Sequence, residues 1–145
     1  MPGARVTRGT TSRAVRRFEG EMKLSPRRFA DAVVVFPVGR IDQSSADTFM
    51  EALAPHLERC AAGEDRLVLD LSDLEYISSA GLRVLMLAAK QSKAQGGTLL
   101  VTGLQPLVRE ILEISRFTLV LDITPSLRDA LAKASASALT AFETA

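Results

Sequence analysis

The residues able to perform covalent or acid–base chemistry are few in this sequence. It holds one histidine, His56, and one cysteine, Cys60. A Ser-His-Asp triad would have to use His56, which lies in a helical pattern between Pro55 and Leu57, and no Gly-x-Ser-x-Gly elbow presents a nucleophile. We therefore expect no catalytic residue and predict that the protein is not an enzyme.

Three carboxylates, Asp70, Asp73 and Glu75, surround the end of a predicted strand. Such a group can act in acid–base chemistry or bind a hard metal ion. Acidic residues at a tight connection more often satisfy backbone groups, and that interpretation is favoured here. One cysteine and one histidine are too few for a zinc site, and the sequence has neither Gly-x-Gly-x-x-Gly nor Gly-Lys-Ser/Thr. The sequence therefore predicts no metal site and no cofactor.

Two consecutive serines, Ser78 and Ser79, lie where an apolar segment passes into a helical pattern. Ser79 is expected to open the helix and to cap it, because a hydroxyl there can accept a bond from an unpaired N–H of the first turn. The same N–H groups and the positive end of the helix dipole favour a phosphate at this place. Ala80 and Gly81 keep the approach to the hydroxyl open.

The segments before these serines change from a strand pattern to a helix pattern. Lys23–Phe29 is predicted to pair with an apolar strand at Ala32–Ile41, which bulges or turns to an unpaired side at Pro37 because proline cannot donate a ladder hydrogen bond. From Ser44 onwards, apolar residues recur every three or four positions, which predicts a helix. Ser44 and Asp47 resemble a capping box at its start.

The second half of the chain continues this alternation. The predicted elements are a central strand Arg66–Leu71, a helix Ser79–Gln95, a strand Thr98–Thr102, a helix Leu107–Ser115, a strand Leu119–Ile123 and a last helix from Ser126. Strands that alternate with helices imply right-handed crossovers. The predicted fold class is therefore α/β, a small and mostly parallel five-stranded sheet with an antiparallel first hairpin and about four helices.

Length and charge divide the chain into three parts. The 145 residues suffice for one domain. Residues 1–28 carry eight basic and two acidic side chains, whereas the rest carries ten basic and fifteen acidic ones. We expect a basic disordered arm at 1–21, a domain at 22–135 and a frayed tail at 136–145. The arm is interpreted as a plain tail or as sequence upstream of a start at Met22, with a nucleic-acid tether and an organelle presequence as alternatives.

Apolar patterning and cysteine content predict the location of the protein. No apolar run approaches the roughly 20 residues that a spanning helix needs. A single cysteine excludes an internal disulfide and fits a reducing compartment. We expect a cytoplasmic protein that is monomeric alone and makes no direct contact with nucleic acid or membrane.

Three motifs, taken in order, resemble those of one family. Gly39–Asp42, which reads Gly-Arg-Ile-Asp, leads into a helix. Val68–Ser72 is followed by Tyr76–Leu82, which reads Tyr-Ile-Ser-Ser-Ala-Gly-Leu, and Gly96–Leu99 precedes a later strand. Over residues 22–133 the chain resembles the STAS domains, especially the bacterial anti-sigma factor antagonists.

This resemblance implies a function in partner binding. Members of the family bind an anti-sigma factor that is also a serine kinase, and phosphorylation at the start of the second helix ends the binding. Aligned on Gly81 and Leu82, the acceptor corresponds to Ser79. Ser78, which stands where the best-studied members carry Asp, is a secondary candidate, and a phosphatase is a further implied partner. The docking surface is expected to comprise Asp42, Gln43, Ser44, Ser45, Ser78, Ser79, Ala80, Gly81, Leu82, Arg83, Val84 and Leu87.

Two alternatives stay open. As a STAS subunit of a lipid or anion transport system, the domain would dock a transporter ATPase and would not be phosphorylated. As an enzyme, it would use the carboxylates Asp70, Asp73 and Glu75, which is disfavoured because no nucleophile can be paired with a base.

Overall fold

The computed structural model of this protein describes residues 22–145, so the predicted basic arm lies outside the described residues. The elements, in chain order, are β1 (Arg27–Phe29), β2 (Ala32–Val35), β3 (Gly39–Ile41), α1 (Ala46–Glu58), β4 (Arg66–Asp70), β5 (Leu74–Ile77), α2 (Ser79–Ala94), β6 (Leu99–Thr102), α3 (Pro106–Ile114), a 3-10 helix (Phe117–Leu119), β7 (Ile123–Thr124), α4 (Leu127–Ala134) and α5 (Ala136–Glu143). The described residues thus form five α-helices, where the sequence predicted about four.

The main sheet has five strands in the order β1-β2-β4-β6-β7. β1 pairs with β2 in the antiparallel sense, and every other pair in this sheet is parallel. β4 lies at the centre and is buried along nearly its whole length, as a strand covered on both faces must be. The predicted α/β class, with a mostly parallel sheet and an antiparallel first hairpin, is confirmed.

A second, two-stranded sheet was not predicted. The expected strand Ala32–Ile41 ends at Val35, and Pro37 lies in the break between β2 and β3. β3 leaves the main sheet and pairs in parallel with β5, a segment that the sequence pattern left as a connection. Pro37 has no N–H to donate, so a continuous ladder through this position would have lacked a bond.

Both faces of the main sheet are covered by helices. The larger core lies on one face and contains Val33, Val35 and Leu69 together with side chains of α1, α2 and α3. Val34 and Val68 point the other way, into a smaller core closed by α4 and α5. This alternation follows from the two-residue period of a strand, and it leaves the first three helices on one face, where β3 and β5 also lie.

The carboxyl-terminal part differs from the prediction in two places. The expected strand Leu119–Ile123 is wrong, since its first residues form the 3-10 helix and a turn, and only Ile123–Thr124 pairs with β6. Leu119 and Val120 face solvent there at 78% and 49% exposure, so their apolar character does not reflect a buried strand.

The expected frayed tail is also wrong for Ala136–Glu143, which forms α5. The Ser135 hydroxyl accepts a bond from the Ala138 N–H at 3.0 Å and donates to Asp31 at 2.6 Å. Phe142 packs edge-on against Phe29 with ring centroids 5.5 Å apart, a contact worth about 0.5–1.5 kcal/mol beyond area burial. The tail is therefore held to the β1–β2 hairpin by a cap and an aromatic pair.

Candidate partner-binding site

The candidate site is built where β3 and β5 end side by side. The Gly39 N–H donates to the Asp73 carbonyl at 2.9 Å, and the Ser78 N–H donates to the Ile41 carbonyl at 2.8 Å. Because the two strands are parallel, their carboxyl ends meet, and the residues that follow them lie close together. The starts of α1 and α2 are thereby brought to one place.

Asp42, the first residue after β3, organises the start of α1. Its Oδ1 accepts bonds from the Ser44 hydroxyl at 2.7 Å and the Ser44 N–H at 3.0 Å, and from the N–H and hydroxyl of Ser45 at 3.1 and 3.2 Å. The Ser44 hydroxyl, followed by the other donors, holds the pKa of the Asp42 carboxyl below its usual range. Ser45 occupies the N-cap position without a side-chain cap bond. The predicted Ser44–Asp47 capping box is therefore wrong, because the Ser44 hydroxyl bonds to the Asp42 carboxylate instead.

At the start of α2 the two serines have different roles. Ser78 has extended backbone angles, and its hydroxyl accepts a bond from the Gly81 N–H at 3.2 Å. Ser78 is thus the cap, and the prediction that Ser79 caps the helix is wrong. Ser79 is the first helical residue, is exposed, and its hydroxyl bonds to no other residue of the 22–145 segment.

The first turn of α2 keeps further unpaired donors. The Leu82 N–H donates to the Ser78 carbonyl at 2.8 Å, while the N–H groups of Ser79 and Ala80 have no acceptor among the described residues. A helix start leaves such donors unsatisfied, and together with the helix dipole they favour an anion nearby.

Gly81 allows α2 to begin against the ends of β3 and β5. A Cβ atom at this position would lie 2.6 Å from Ile77 Cγ1 and 2.8 Å from Ile41 Cγ2, so a larger residue would force the helix away from the strands. Gly81 is buried, as are Leu82 and Val84 at 7% and 6% exposure. These three residues therefore present little area to a partner, because the side chains of Leu82 and Val84 pack into the core and Gly81 has none.

The other nine predicted residues reach the surface. On α2, Ser79, Arg83 and Leu87 follow each other at intervals of four and are exposed, so they form one stripe along the helix. Leu87 is an apolar side chain at 42% exposure. Gln43 and Ser44 are exposed beside them, and the remaining members are half-buried, namely Asp42, Ser45, Ser78 and Ala80.

The residues considered for catalysis do not assemble into a site. Asp70 is buried, and its Oδ1 accepts a bond from the Ser72 N–H at 3.0 Å, which is the turn role that was favoured. His56 lies on α1, where burial, aided by Arg59, lowers its pKa. The Cys60 thiol is buried and donates to the Thr98 carbonyl. Residues 22–145 contain no group of three or more His, Cys, Asp or Glu able to hold a metal ion.

Two further features bear on the site. Arg40 on β3 stacks over the Tyr76 ring on β5 at 4.4 Å, a contact that required the unpredicted β3–β5 pairing.

An open groove of about 460 Å³ lies at the far end of α2, between Lys93 and Val120, and is separate from Ser79. Within the described part of the chain, no helix has the length and apolarity needed to cross a bilayer.

Comparisons with known proteins bear on the family and the fold of this chain. A model of the STAS domain family matches residues 23–130. A Bordetella bronchiseptica protein provisionally named anti-sigma factor antagonist BtrV is 39% identical over 118 residues, which is 81% of this chain and 98% of that protein.

Two solved structures are similar in fold. An anti-sigma factor antagonist from Mycobacterium paratuberculosis is 22% identical, covers 79% of this chain and 95% of its own, and has a TM-score of 0.69. The Bacillus cell fate determinant SpoIIAA in its phosphorylated form is 12% identical, covers 77% of this chain and 98% of its own, and has a TM-score of 0.56.

Proposed function

Since this chain belongs to the STAS domain family, among the anti-sigma factor antagonists, we propose that it binds an anti-sigma factor that is a serine kinase, and that phosphorylation of Ser79 ends the binding. Binding frees the sigma factor from its inhibitor, and a phosphatase restores the binding form. The proposed role is regulatory binding and involves no catalysis by this chain.

The observation that carries the proposal is the exposed hydroxyl of Ser79, which bonds to no other residue of the described segment. The other three serines at the two helix starts have engaged hydroxyls: Ser78 caps α2, and Ser44 and Ser45 bind Asp42. A kinase reaches an exposed hydroxyl more readily when no bond within the protein has to be broken first, and within residues 22–145 Ser79 is the serine of the four that offers one. A similar fold with a phosphorylated form, the Bacillus protein SpoIIAA, supports the proposal.

The docking surface of the proposed complex is the exposed part of the site. It consists of Asp42, Gln43, Ser44, Ser45, Ser78, Ser79, Ala80, Arg83 and Leu87. A phosphate on Ser79 adds about −1.5 to −2 charge at neutral pH, and at a helix start it does not unfold the helix. The effect falls on the complex, where an added charge that is desolvated and unmatched costs about 2–5 kcal/mol. This corresponds to a loss of affinity of about 30-fold or more.

Labelling by the partner kinase tests this proposal. The wild type should incorporate phosphate, Ser79→Ala should not, and Ser78→Ala should still be labelled. Ser115→Ala is a matched control, because Ser115 is an exposed serine at the end of α3 and lies outside the docking surface. Phosphate mapped by mass spectrometry on protein from its own cells should lie on Ser79.

Two results would contradict the proposal. Undiminished labelling of Ser79→Ala would exclude Ser79 as the acceptor and direct attention to Ser78. Recovery of a transporter ATPase as the partner, with no phosphate on the chain, would replace the proposed function with the transport role.

A further inference from the structure

Arg83 is the cation of the docking surface. It is exposed, and the ion pairs and hydrogen bonds of residues 22–145 do not include it. It lies four residues after Ser79 on α2, so the two side chains emerge on the same face one turn apart. The next cation along α2, Lys90, is seven residues farther.

The direction of the side chains brings Arg83 towards Ser79. The Cα–Cβ bonds of a helix tilt towards its amino terminus, and long side chains lie over the preceding turn. From this position an Arg83 side chain can reach back over the turn that begins with Ser79. An anion that precedes a cation by four residues is also the favourable order on a helix.

We propose that Arg83 has two alternative ligands, a carboxylate of the partner when Ser79 is unmodified and the phosphate of Ser79 when it is phosphorylated. This inference rests on the proposed function. A guanidinium binds either anion through paired N–H donors. Phosphorylation thus adds negative charge to the docking surface and also withdraws the cation that the partner needs.

The partner is assigned a carboxylate by charge complementarity. Around Ser79 the surface offers polar side chains, the exposed Leu87 and the carboxylate of Asp42, which already accepts four hydrogen bonds. Arg83 is the charged group on this surface that has neither an ion pair nor a hydrogen bond among residues 22–145. A partner that covers it without an anion would desolvate an unpaired charge.

The phosphate contact is tested on full-length protein carrying phosphoserine at position 79, followed by 31P chemical shift during a pH titration. Arg83→Gln should raise the second pKa of the phosphate by about 0.3 to 0.5 pH unit, because a nearby cation stabilises the dianion. Arg83→Lys should restore most of the difference. Lys90→Gln removes the same charge from the same helix and should leave the titration unchanged. The neighbouring carboxylates Asp42, Asp73 and Glu75 are present in every variant, so the difference isolates Arg83.

The partner contact is tested with unphosphorylated protein and the kinase that labels it. Arg83→Gln should weaken binding by about 5-fold or more, the scale of a charge-assisted contact, and Lys90→Gln should not. Equal titrations for wild type and Arg83→Gln, or equal kinase affinities, would overturn the inference while phosphorylation of Ser79 stood. If no kinase labels Ser79, the proposed function fails, and with it the regulatory role of Arg83, even where the titration detects the contact.

Discussion

The starts of α1 and α2 make an instructive pair, because each carries two consecutive serines and their outcomes differ. Before α1, the hydroxyls of Ser44 and Ser45 both bind Asp42. Before α2, Ser78 binds the Gly81 N–H, and Ser79 lies at the surface with no hydroxyl bond to any residue in the 22–145 range. Of the four serines at these two helix starts, three use their hydroxyls in structural hydrogen bonds and one has a hydroxyl that is available for modification.

The difference has a local cause. Asp42 comes two residues before Ser44 and provides an acceptor within reach of both serines, whereas the residue before Ser78 is the buried Ile77, which has no polar atom in its side chain. At α2 the cap bond goes to the serine with extended backbone, as N-cap geometry requires. The next serine is already helical, and its hydroxyl makes no bond within residues 22–145. Availability of a hydroxyl therefore depends on what stands one or two residues earlier.

The largest expected effect is on partner binding by Ser79→Asp. A permanent carboxylate at this exposed position should weaken kinase binding by about 30-fold or more. The free energy of unfolding should be unchanged or slightly raised, because a negative charge in the first turn interacts well with the helix dipole. Binding is measured by calorimetry and stability by urea titration. Ala132→Asp is the matched control, since it adds the same charge to an exposed site on the opposite face of the sheet. Tight binding by Ser79→Asp would refute the charge switch.

A smaller effect is expected on the free energy of unfolding, which should distinguish Ser78 from Ser79. Ser78→Ala should lower the free energy of unfolding by about 1 kcal/mol, within a range of about 0.5–2, because it removes the acceptor of the Gly81 N–H. Ser79→Ala should change it by less than about 0.5 kcal/mol, since that hydroxyl makes no bond to lose. Urea unfolding of both variants decides the matter. Equal losses would mean that the cap is shared, and the contrast between the two serines would disappear.

The smallest effect concerns the start of α1 at acid pH. Hydrogen bonds from Ser44 and Ser45 hold the pKa of Asp42 below its ordinary value of 3.8. The unfolded chain then binds a proton more readily than the folded one, so Asp42 contributes stability above 3.8 that is lost as the pH falls through the lowered pKa. The free energy of unfolding of the wild type should therefore exceed that of Asp42→Asn near neutral pH. The difference between the two free energies should become smaller below pH 3.8.

The control for this measurement lies within the protein. Asp65 and Asp31 also have lowered pKa values, from bonds with Arg28 and Ser135 respectively, and both are present in the wild type and the variant. Their contributions cancel in the difference. If the difference in the free energy of unfolding stays constant down to the acid transition, Asp42 does not accept the hydrogen bonds that the structure describes.

Local patterning gave the helices and the core strands of this protein. The apolar spacing predicted the start of α1 within two residues and both ends of α2 within one residue, and the buried run predicted β4. It failed at β5 and at α5, for opposite reasons. β5 is a short strand that pairs with β3 alone among residues 22–145, and α5 is a weakly amphipathic helix held by the bond from Ser135 to Asp31 and by Phe142 against Phe29. Neither contact has a local signature, because both partners lie far away in the chain.

The sequence by itself determined that a pair of serines lies between an apolar segment and a helix. The period of the helix and the glycine after the serines are both local features. Only the tertiary structure decided which side chains of α2 face the core and that Asp42 lies beside the pair. Those facts depend on the β3–β5 pairing, which brings residues 41 and 78 within one hydrogen bond of each other. Burial and the meeting of two helix starts are settled between distant segments, and a pattern of residue types does not contain them.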